Sequence, residues 1–536
     1  MVNQIHKVEL IVVIHNDDEN TGFLGINEYM GVEYIKSYLE REGISVNIHI
    51  VQNKDIGTVQ QIFTDSPQLV GLCMYSDNVQ QVIATARQIR SYFPESWITV
   101  GGPQVNRFEE RILHDHPYFD IVFSYEAEES YLDFIRRVNS GRDIYGCLGI
   151  TYRDSNKNII QNPYRPLIQD LDSLPPPSRC IHERYRQQYL YITGSRGCLG
   201  GCSFCGETST KKDIGKPYIR QRSPMSVVNE IQELSDKYKI NAFRFTDATF
   251  EDPNNADGIQ RAEAIYHEII RRNLSVSLHL FTRAEIVNVL PASYYLKAKQ
   301  AGVECFYIGI ESGNSEDIQI YHKRTTVEKN RLAIQKIRNA GIYAGIGFIN
   351  FNPYSTFDSI KQNIDFLYEN GYGHVFYLAQ TRLELLPQSY LIKKMHHDRL
   401  IDRDFNYQSH FYDYQFQNQR IGRLYHVFKM AYTVPPIYYM DTLSNMNRVW
   451  AGKHLTREAL KKIEKHFTRL DELRREYEER NYNFAVKALD MCANDAPQKE
   501  IEVLIAKANL NAVYQPFMDI YNLLNIKITK ARILNA

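Results

Sequence analysis

Neither sign of charge is in excess in this sequence: 63 Lys and Arg balance 63 Asp and Glu in 536 residues. A chain so neutral is not built chiefly to grip nucleic acid or an anionic membrane. No apolar run approaches the ~18 to 20 residues that a membrane span requires. The apolar stretch at residues 8–14 has no small-residue cleavage site after it, so no signal peptide is expected and a cytoplasmic location is. Eight cysteines are too few for a disulfide scaffold. Low-complexity segments and solenoid-period repeats are missing as well. What remains is an ordinary globular composition, 43% hydrophobic and 24% charged, long enough for three or four domains at about 150 residues each. The 38 tyrosines are a high share and suit aromatic, hydrogen-bonding cavity walls.

Short apolar runs at 8–14, 46–51, 69–74, 98–100 and 121–123 alternate with helical patterns at 30–41 and 79–92. That alternation predicts a Rossmann-like, doubly wound parallel α/β sheet over residues 1–140, with ligands at the carboxyl ends of its strands. Those ends carry Tyr75, Ser76, Gly101, Gly102, Pro103 and an acidic turn with Glu126, Glu128 and Glu129. The two glycines also suit an ordinary turn. Residues 141–185 read as a linker, with a hairpin near 154–158 and Pro175-Pro176-Pro177. A second alternating series over 186–390 has strand-like runs at 189–192, 242–245, 276–281, 305–310, 343–349 and 375–378. Six strands joined by helices predict a (β/α)6 partial TIM barrel with chemistry at the strand ends. From 391 to 536 the strand signal fades. There Leu460, Ile463, Phe467, Leu470 and Tyr477 recur at helical spacing amid solvated charges, which predicts a helical C-terminal domain that shapes the substrate pocket.

Three of the eight cysteines, Cys198, Cys202 and Cys205, fall within eight residues on a glycine-rich loop after the first strand of the second series. Thiolates spaced by three and two residues can converge on one face of a small metal centre. Structural zinc is the competing assignment, but it usually takes four ligands and no second paired motif follows at finger-like distance. Chance spacing is the other. Cys73, Cys147, Cys180, Cys305 and Cys492 are scattered and read as small buried hydrophobes.

The Cys-x3-Cys-x2-Cys loop, with an aromatic before its last cysteine, resembles the signature of the radical S-adenosylmethionine (SAM) superfamily. The resemblance implies that Cys198, Cys202 and Cys205 ligate a [4Fe-4S] cluster whose fourth iron takes the amino and carboxylate groups of SAM, with Phe204 near the adenine. It extends through residues 240–250, Thr282-Arg283-Ala284-Glu285, the segment 308–313 and Ala340-Gly341-Ile342, which are similar to the subgroup carrying an N-terminal cobalamin-binding domain. It makes Glu311 and Ser312 candidate SAM contacts, with Asp247 and Arg283 as further ones; Asp247 and Arg283 also fit an ordinary buried ion pair. Where many relatives show Gly-x-Pro-Gly-x-Thr, this chain reads Phe351-Asn352-Pro353-Tyr354-Ser355-Thr356. Tyr75, Ser76, Gly101, Gly102, Pro103 and Glu126 match the cobalamin loops. The Asp-x-His-x-x-Gly motif that offers histidine to cobalt is absent, Asp115-His116 having the wrong spacing. Cobalamin is therefore expected base-off, with no ligand from His15, His49, His114 or His116; a domain that has lost the cofactor is the alternative.

The function implied is a cobalamin-dependent radical SAM methyltransferase acting on an unactivated carbon, or phosphorus, of a small metabolite or natural-product intermediate, using a 5′-deoxyadenosyl radical and methylcobalamin. It would draw electrons from a donor such as flavodoxin or ferredoxin and engage neither nucleic acid nor membrane. The alternatives are a rearrangement, ring contraction or oxidative cyclisation without methyl transfer, and a non-catalytic cobalamin sensor or carrier. Methylthiolation of tRNA is disfavoured, because no extra cluster cysteines and no basic tail are present. A coupled reaction predicts that the strand ends of both domains face one cavity.

Overall fold

The computed structural model describes residues 4–14, 28–185, 189–207, 213–214, 218–251, 256–386, 389–401, 403, 405–409, 411–431, 451 and 455–535. The chain divides into two compact units, one of residues 1–197, 209–230 and 404–412, the other of 198–208, 231–403 and 413–536.

The first unit is built on seven strands: β1 (Lys7–Ile14), β2 (Ser45–Gln52), β3 (Leu69–Cys73), β4 (Trp97–Gly101), β5 (Ile121–Phe123), β6 (Ile150–Arg153) and β7 (Ile159–Gln161). They run in the order β2-β1-β3-β4-β5-β6-β7. The first five are parallel, and β6 and β7 are antiparallel additions. Alternation along β1 divides its side chains between two cores, because successive residues point to opposite faces. Val8, Leu10 and Val12 pack with Val32, Leu39 and Ile135 on one face, and Ile11 and Val13 with Val82, Ile83 and Ile112 on the other. A sheet covered on both faces is what the continuous apolar runs predicted. The expected linker is more than a connector, since β6 and β7 extend this sheet. Its hairpin turns at Asp154, whose Oδ1 accepts the Asn156 and Asn158 amides, each at 2.8 Å. Later strands are β8 (Leu190–Ile192) and the short antiparallel pair β9 (Ser195–Arg196) and β10 (Arg220–Gln221).

In the second unit, β11 (Ala242–Phe245), β12 (Ser277–Arg283), β13 (Val303–Glu311) and β14 (Tyr343–Phe348) are neighbouring parallel strands in that order. Register aligns their side chains in rows: Arg244, His279, Cys305 and Tyr343, then Phe281, Tyr307 and Gly345, then Arg283, Gly309 and Gly347 at the carboxyl ends. The strand expected at 375–378 is instead part of a helix, Phe376–Gln380. Four apolar residues cannot be told from a buried helical turn by periodicity. Parallel pairing continues a few residues later, as a bridge between Phe351 and Arg382.

Among the described residues after 391 the regular elements are mainly helices, as expected, with Leu391–His397, Gln419–Ala431, Arg457–Ala493, Gln498–Ala508 and Tyr514–Asn535. Ile463, Phe467, Leu470 and Tyr477 are buried along the 37-residue helix. Many tyrosines serve the core rather than cavity walls: Tyr266, Tyr294, Tyr295, Tyr321, Tyr372, Tyr407 and Tyr521 are fully buried. Among the described residues no helix is long and apolar enough to cross a membrane.

Candidate functional site

The approach to the cysteine loop is fixed by charge. Arg196 pairs with Glu128 at 2.7 Å and Glu126 at 3.2 Å, and lies over the Tyr34 ring. Glu126, expected at a cobalamin loop, also receives Arg220 at 2.8 Å and the Ile168 amide at 3.0 Å. Gly197 follows at φ +93°, where an added Cβ would lie 2.4 Å from the Tyr218 carbonyl oxygen; only glycine passes here.

Within the second unit, the loop is held by Ser203. Its amide donates to the Tyr321 carbonyl at 3.0 Å, and its hydroxyl to that of Ile320 at 2.6 Å. Its own carbonyl accepts from the Ser389 hydroxyl at 2.8 Å and the Leu391 amide at 3.2 Å. So pinned, Cys198, Cys202 and Cys205 are half-buried thiols, none of them in a disulfide. The sulfurs of Cys198 and Cys202 both lie within 4 Å of the position a Gly200 side chain would take. The Gly200 amide points to Cys198 Sγ at 3.2 Å, and Thr249 Oγ1 is 3.8 Å from the same sulfur. Burial raises the Cys202 thiol against the pull of Lys323, and raises that of Cys205 to about 11. Metal binding to them releases protons.

No three His, Cys, Asp or Glu side chains among the described residues close on a single ion. A zinc-type site needs that closeness. An iron-sulfur cluster spreads its thiolates further apart, so three sulfurs on one glycine-rich loop with amide donors fit the cluster better than the single ion. Phe204, beside them, meets the Tyr321 ring edge-on at 5.4 Å.

At the end of β13, Glu311 sits at a register shift with φ +66°, a left-handed conformation costing a non-glycine residue about 1–3 kcal/mol. Its carboxylate lies over Gly309 and Gly347: a Cβ on Gly309 would stand 2.8 Å from Oε1, and one on Gly347 3.3 Å from Oε2. Lys323 reaches the same oxygen, Oε1, at 3.4 Å. Burial alone would lower the lysine's pKa, but Glu311, Cys202 and Glu285 raise it. Arg283 comes close to Gly200 and pairs with Glu285 at 3.1 Å. Asp247 is buried at the end of β11.

Ser312 turns the other way. It is 0% exposed, and its Oγ stands 2.9 Å from Asp317 Oδ2 and 2.7 Å from Asn363 Oδ1. Asn352 joins this network through Asp317 at 2.8 Å and the Tyr321 hydroxyl at 3.1 Å. The departure from Gly-x-Pro-Gly-x-Thr is thereby explained. Asn352 and Ser355 build the turn with side-chain hydrogen bonds, and Thr356 caps the next helix, Phe357–Glu369, in a capping box. Glu285 and Thr249 lie in the segments that carry the resemblance without being singled out there, and Lys323 lies outside them, twelve residues past Glu311, with no spacing that announces it.

In the first unit, Tyr75, Ser76, Gly101, Gly102 and Pro103 stand at the carboxyl ends of the paired strands β3 and β4. Tyr75 bonds through its amide to Asn78, and burial and its contact with Cys73 push its phenol well above the usual range. Gly102, at φ +105°, packs against Met74. The histidines are occupied elsewhere: His49 with Glu9 at 2.7 Å, His116 with the Tyr407 hydroxyl at 2.6 Å, and exposed His114 beside Asp115. His15 lies outside the described residues. Among the described residues, these loop ends present polar backbone and side-chain groups, and His49, His114 and His116 are engaged by the partners just named.

A parallel strand-end site with a three-thiol loop in one unit, and a doubly wound sheet in the other unit of the same chain, define the class. Residues 192–398 match the radical SAM superfamily and residues 23–135 the B12 binding domain. The chain belongs to the cobalamin-dependent radical SAM family. It is 25% identical over 344 residues to an uncharacterized methyltransferase of Pyrococcus horikoshii, covering 63% of this chain and 72% of that one. To the anaerobic magnesium-protoporphyrin IX monomethyl ester cyclase of Rubrivivax gelatinosus it is 26% identical, spanning 59% of this chain and 58% of the cyclase. The fold is that of the cobalamin-dependent S-adenosylmethionine radical enzyme OxsB with aqua-cobalamin and S-adenosylmethionine bound, at TM-score 0.72 and 18% identity over 99% of this chain and 83% of that one.

Proposed function

We propose that this protein is an enzyme that transfers the methyl group of SAM to an unactivated carbon or phosphorus of a small molecule, with a [4Fe-4S] cluster, SAM and cobalamin as its cofactors. The cluster supplies reductive cleavage of SAM and cobalamin carries the methyl group. Cys198, Cys202 and Cys205 hold the cluster. Glu311 and Arg283 orient SAM beside it, Phe204 lies against its adenine, and Ser312 acts on Glu311 through the backbone it fixes. Tyr75, Ser76 and the Gly101, Gly102, Pro103 turn receive the corrin. An electron donor of the flavodoxin or ferredoxin class serves the cluster.

The observation that carries this reading is the three-thiol loop pinned beside a strained carboxylate and two buried cations, in a chain that also has a B12-binding domain. A sensor or carrier has no use for such a loop. Likeness to a cyclase favours the second reading, radical chemistry without methyl transfer.

The test needs no substrate. Full-length protein, reconstituted anaerobically with iron and sulfide and loaded with reduced cobalamin, is given SAM labelled in its methyl group. Labelled methylcobalamin and S-adenosylhomocysteine are expected. Cleavage of SAM to 5′-deoxyadenosine with no label in the corrin would reject methyl transfer in favour of the cyclase-like reading, and full iron content in a C198A/C202A/C205A variant would reject the cluster.

A further inference from the structure

Lys323 is a buried cation that is short of partners. Its side chain is 3% exposed. Among the described residues its ammonium has a single hydrogen-bond partner, Glu311 Oε1 at 3.4 Å, long for an ammonium with three donors to satisfy. A buried charge persists only when something offsets its desolvation. The groups that face it are Glu311, Cys202, Glu285 and Arg283, and Arg283 already has Glu285 at 3.1 Å.

The sheet makes room for this pair. Gly309 and Gly347 are register partners. A Cβ on Gly309 would stand 3.0 Å from Lys323 Nζ as well as 2.8 Å from Glu311 Oε1. The lysine backbone is fixed by its amide to the Ile318 carbonyl at 3.1 Å. The ammonium is thus held in place within electrostatic reach of Cys202, and among the described residues Glu311 takes one of its three donors.

A cluster held by three thiolates is an anion, and it gains one further negative charge when reduced. We propose that Lys323 is the charge-compensating residue of this site: its ammonium, positioned by Glu311 over the Gly309–Gly347 pair, stabilises the reduced cluster and so sets the potential at which one electron is accepted from the donor. The proposal rests on the assignment of Cys198, Cys202 and Cys205 as cluster ligands. Lys323 is here a positioning and electrostatic residue, which forms no bond to iron.

Full-length wild type, K323M, K323R and E311Q are reconstituted anaerobically, without SAM. Iron and sulfide are counted, and the cluster is titrated with dithionite and mediators under electron paramagnetic resonance. K323M should keep its iron yet show a reduced-to-oxidised ratio at least tenfold lower at a given potential, a midpoint about 59 mV or more below wild type. E311Q, which leaves the lysine charge uncompensated, should shift the midpoint upward. K323R should stay within about threefold of wild type in that ratio. An unchanged midpoint in K323M, shifts of the same sign in K323M and E311Q, or loss of iron from K323M and K323R alike would overturn the proposal. Absence of iron from the wild type would be a different failure, that of the cluster assignment itself.

Discussion

Replacing Gly313 by alanine tests whether the glycine after Glu311 and Ser312 is required by packing. Its φ is not positive, so conformational freedom is not the reason. A Cβ there would stand 2.2 Å from Phe366 Cβ and 2.6 Å from its Cγ. Because the nearest atom is a Cβ, no rotamer of Phe366 relieves the clash. Phe366 is fully buried in the helix Phe357–Glu369 and packs on Phe348 at 6.0 Å between ring centroids, so the helix or the turn must give way. Overpacking of this kind costs about 1–3 kcal/mol. The displacement also breaks the bond from the Gly313 amide to Asn363 Oδ1, 2.7 Å in the native protein, and an unsatisfied buried amide costs about 1–3 kcal/mol more. Hydrogen exchange of amides 360–367 should therefore report an opening free energy lower by about 2–6 kcal/mol in Gly313→Ala. Protection within about 0.5 kcal/mol of wild type would refute the reasoning, since that is the range of an inconsequential substitution.

Gly102→Ala meets both a φ of +105° and the Met74 carbonyl oxygen at 2.6 Å; it should cost about 1–3 kcal/mol of melting stability and weaken cobalamin retention after desalting at least about tenfold, about 1.4 kcal/mol. Unchanged retention would show that this turn does not hold the corrin. Glu251 is buried beside Tyr294, with Oε2 unpaired, and burial raises its pKa from 4.5 to about 7. The folded state therefore binds a proton that the unfolded state has released between those values, so the stabilising contribution is complete below pH 4.5, falls as pH rises and is exhausted above about 7. Glu251→Gln should remove about 3 kcal/mol of that fall, seen as urea midpoints compared at pH 5 and 8; a variant with the wild-type pH dependence would contradict this.

Much of the first sheet was legible because strands buried on both faces leave uninterrupted apolar runs. Brevity hid the rest: β6 and β7 have four and three residues and carry polar side chains, so they passed for a connector. Distance hid another piece. Phe405 and Tyr407 belong to the core around Val82 and Ile112, about 300 residues away, and no local pattern announces such a return. Cysteine spacing disclosed the candidate metal ligands, while the resemblance of the Glu311-Ser312-Gly313 segment made Ser312 a candidate SAM contact and could not disclose that its hydroxyl is engaged by Asp317 and Asn363, residues outside that segment. Lys323 was invisible for a related reason. Its partner is near in sequence, but the glycine pair that seats them both exists only in the register of β13 with β14.

One short segment supports both halves of the candidate site. Residues 311–323 begin with Glu311, pass through Ser312 and the helix Ser315–Ile320, and end with Lys323. Asn314 caps that helix, its Oδ1 accepting the Glu316 and Asp317 amides at 2.9 and 3.0 Å. Asp317 ties it to Asn352 and Asn363, while the carbonyls of Ile320 and Tyr321 hold Ser203 in the thiol loop. The loop is glycine-rich, and Ser203 is where it is tied to this segment. The separation of the sulfurs from Glu311 and Lys323 is therefore set by hydrogen bonds to a helix whose two ends both lead to charged groups of the site. Side chains on such a rigid, doubly anchored element hold their geometry better than side chains on a free loop, so the Glu311–Lys323 pair and the three thiols are placed by one and the same set of bonds.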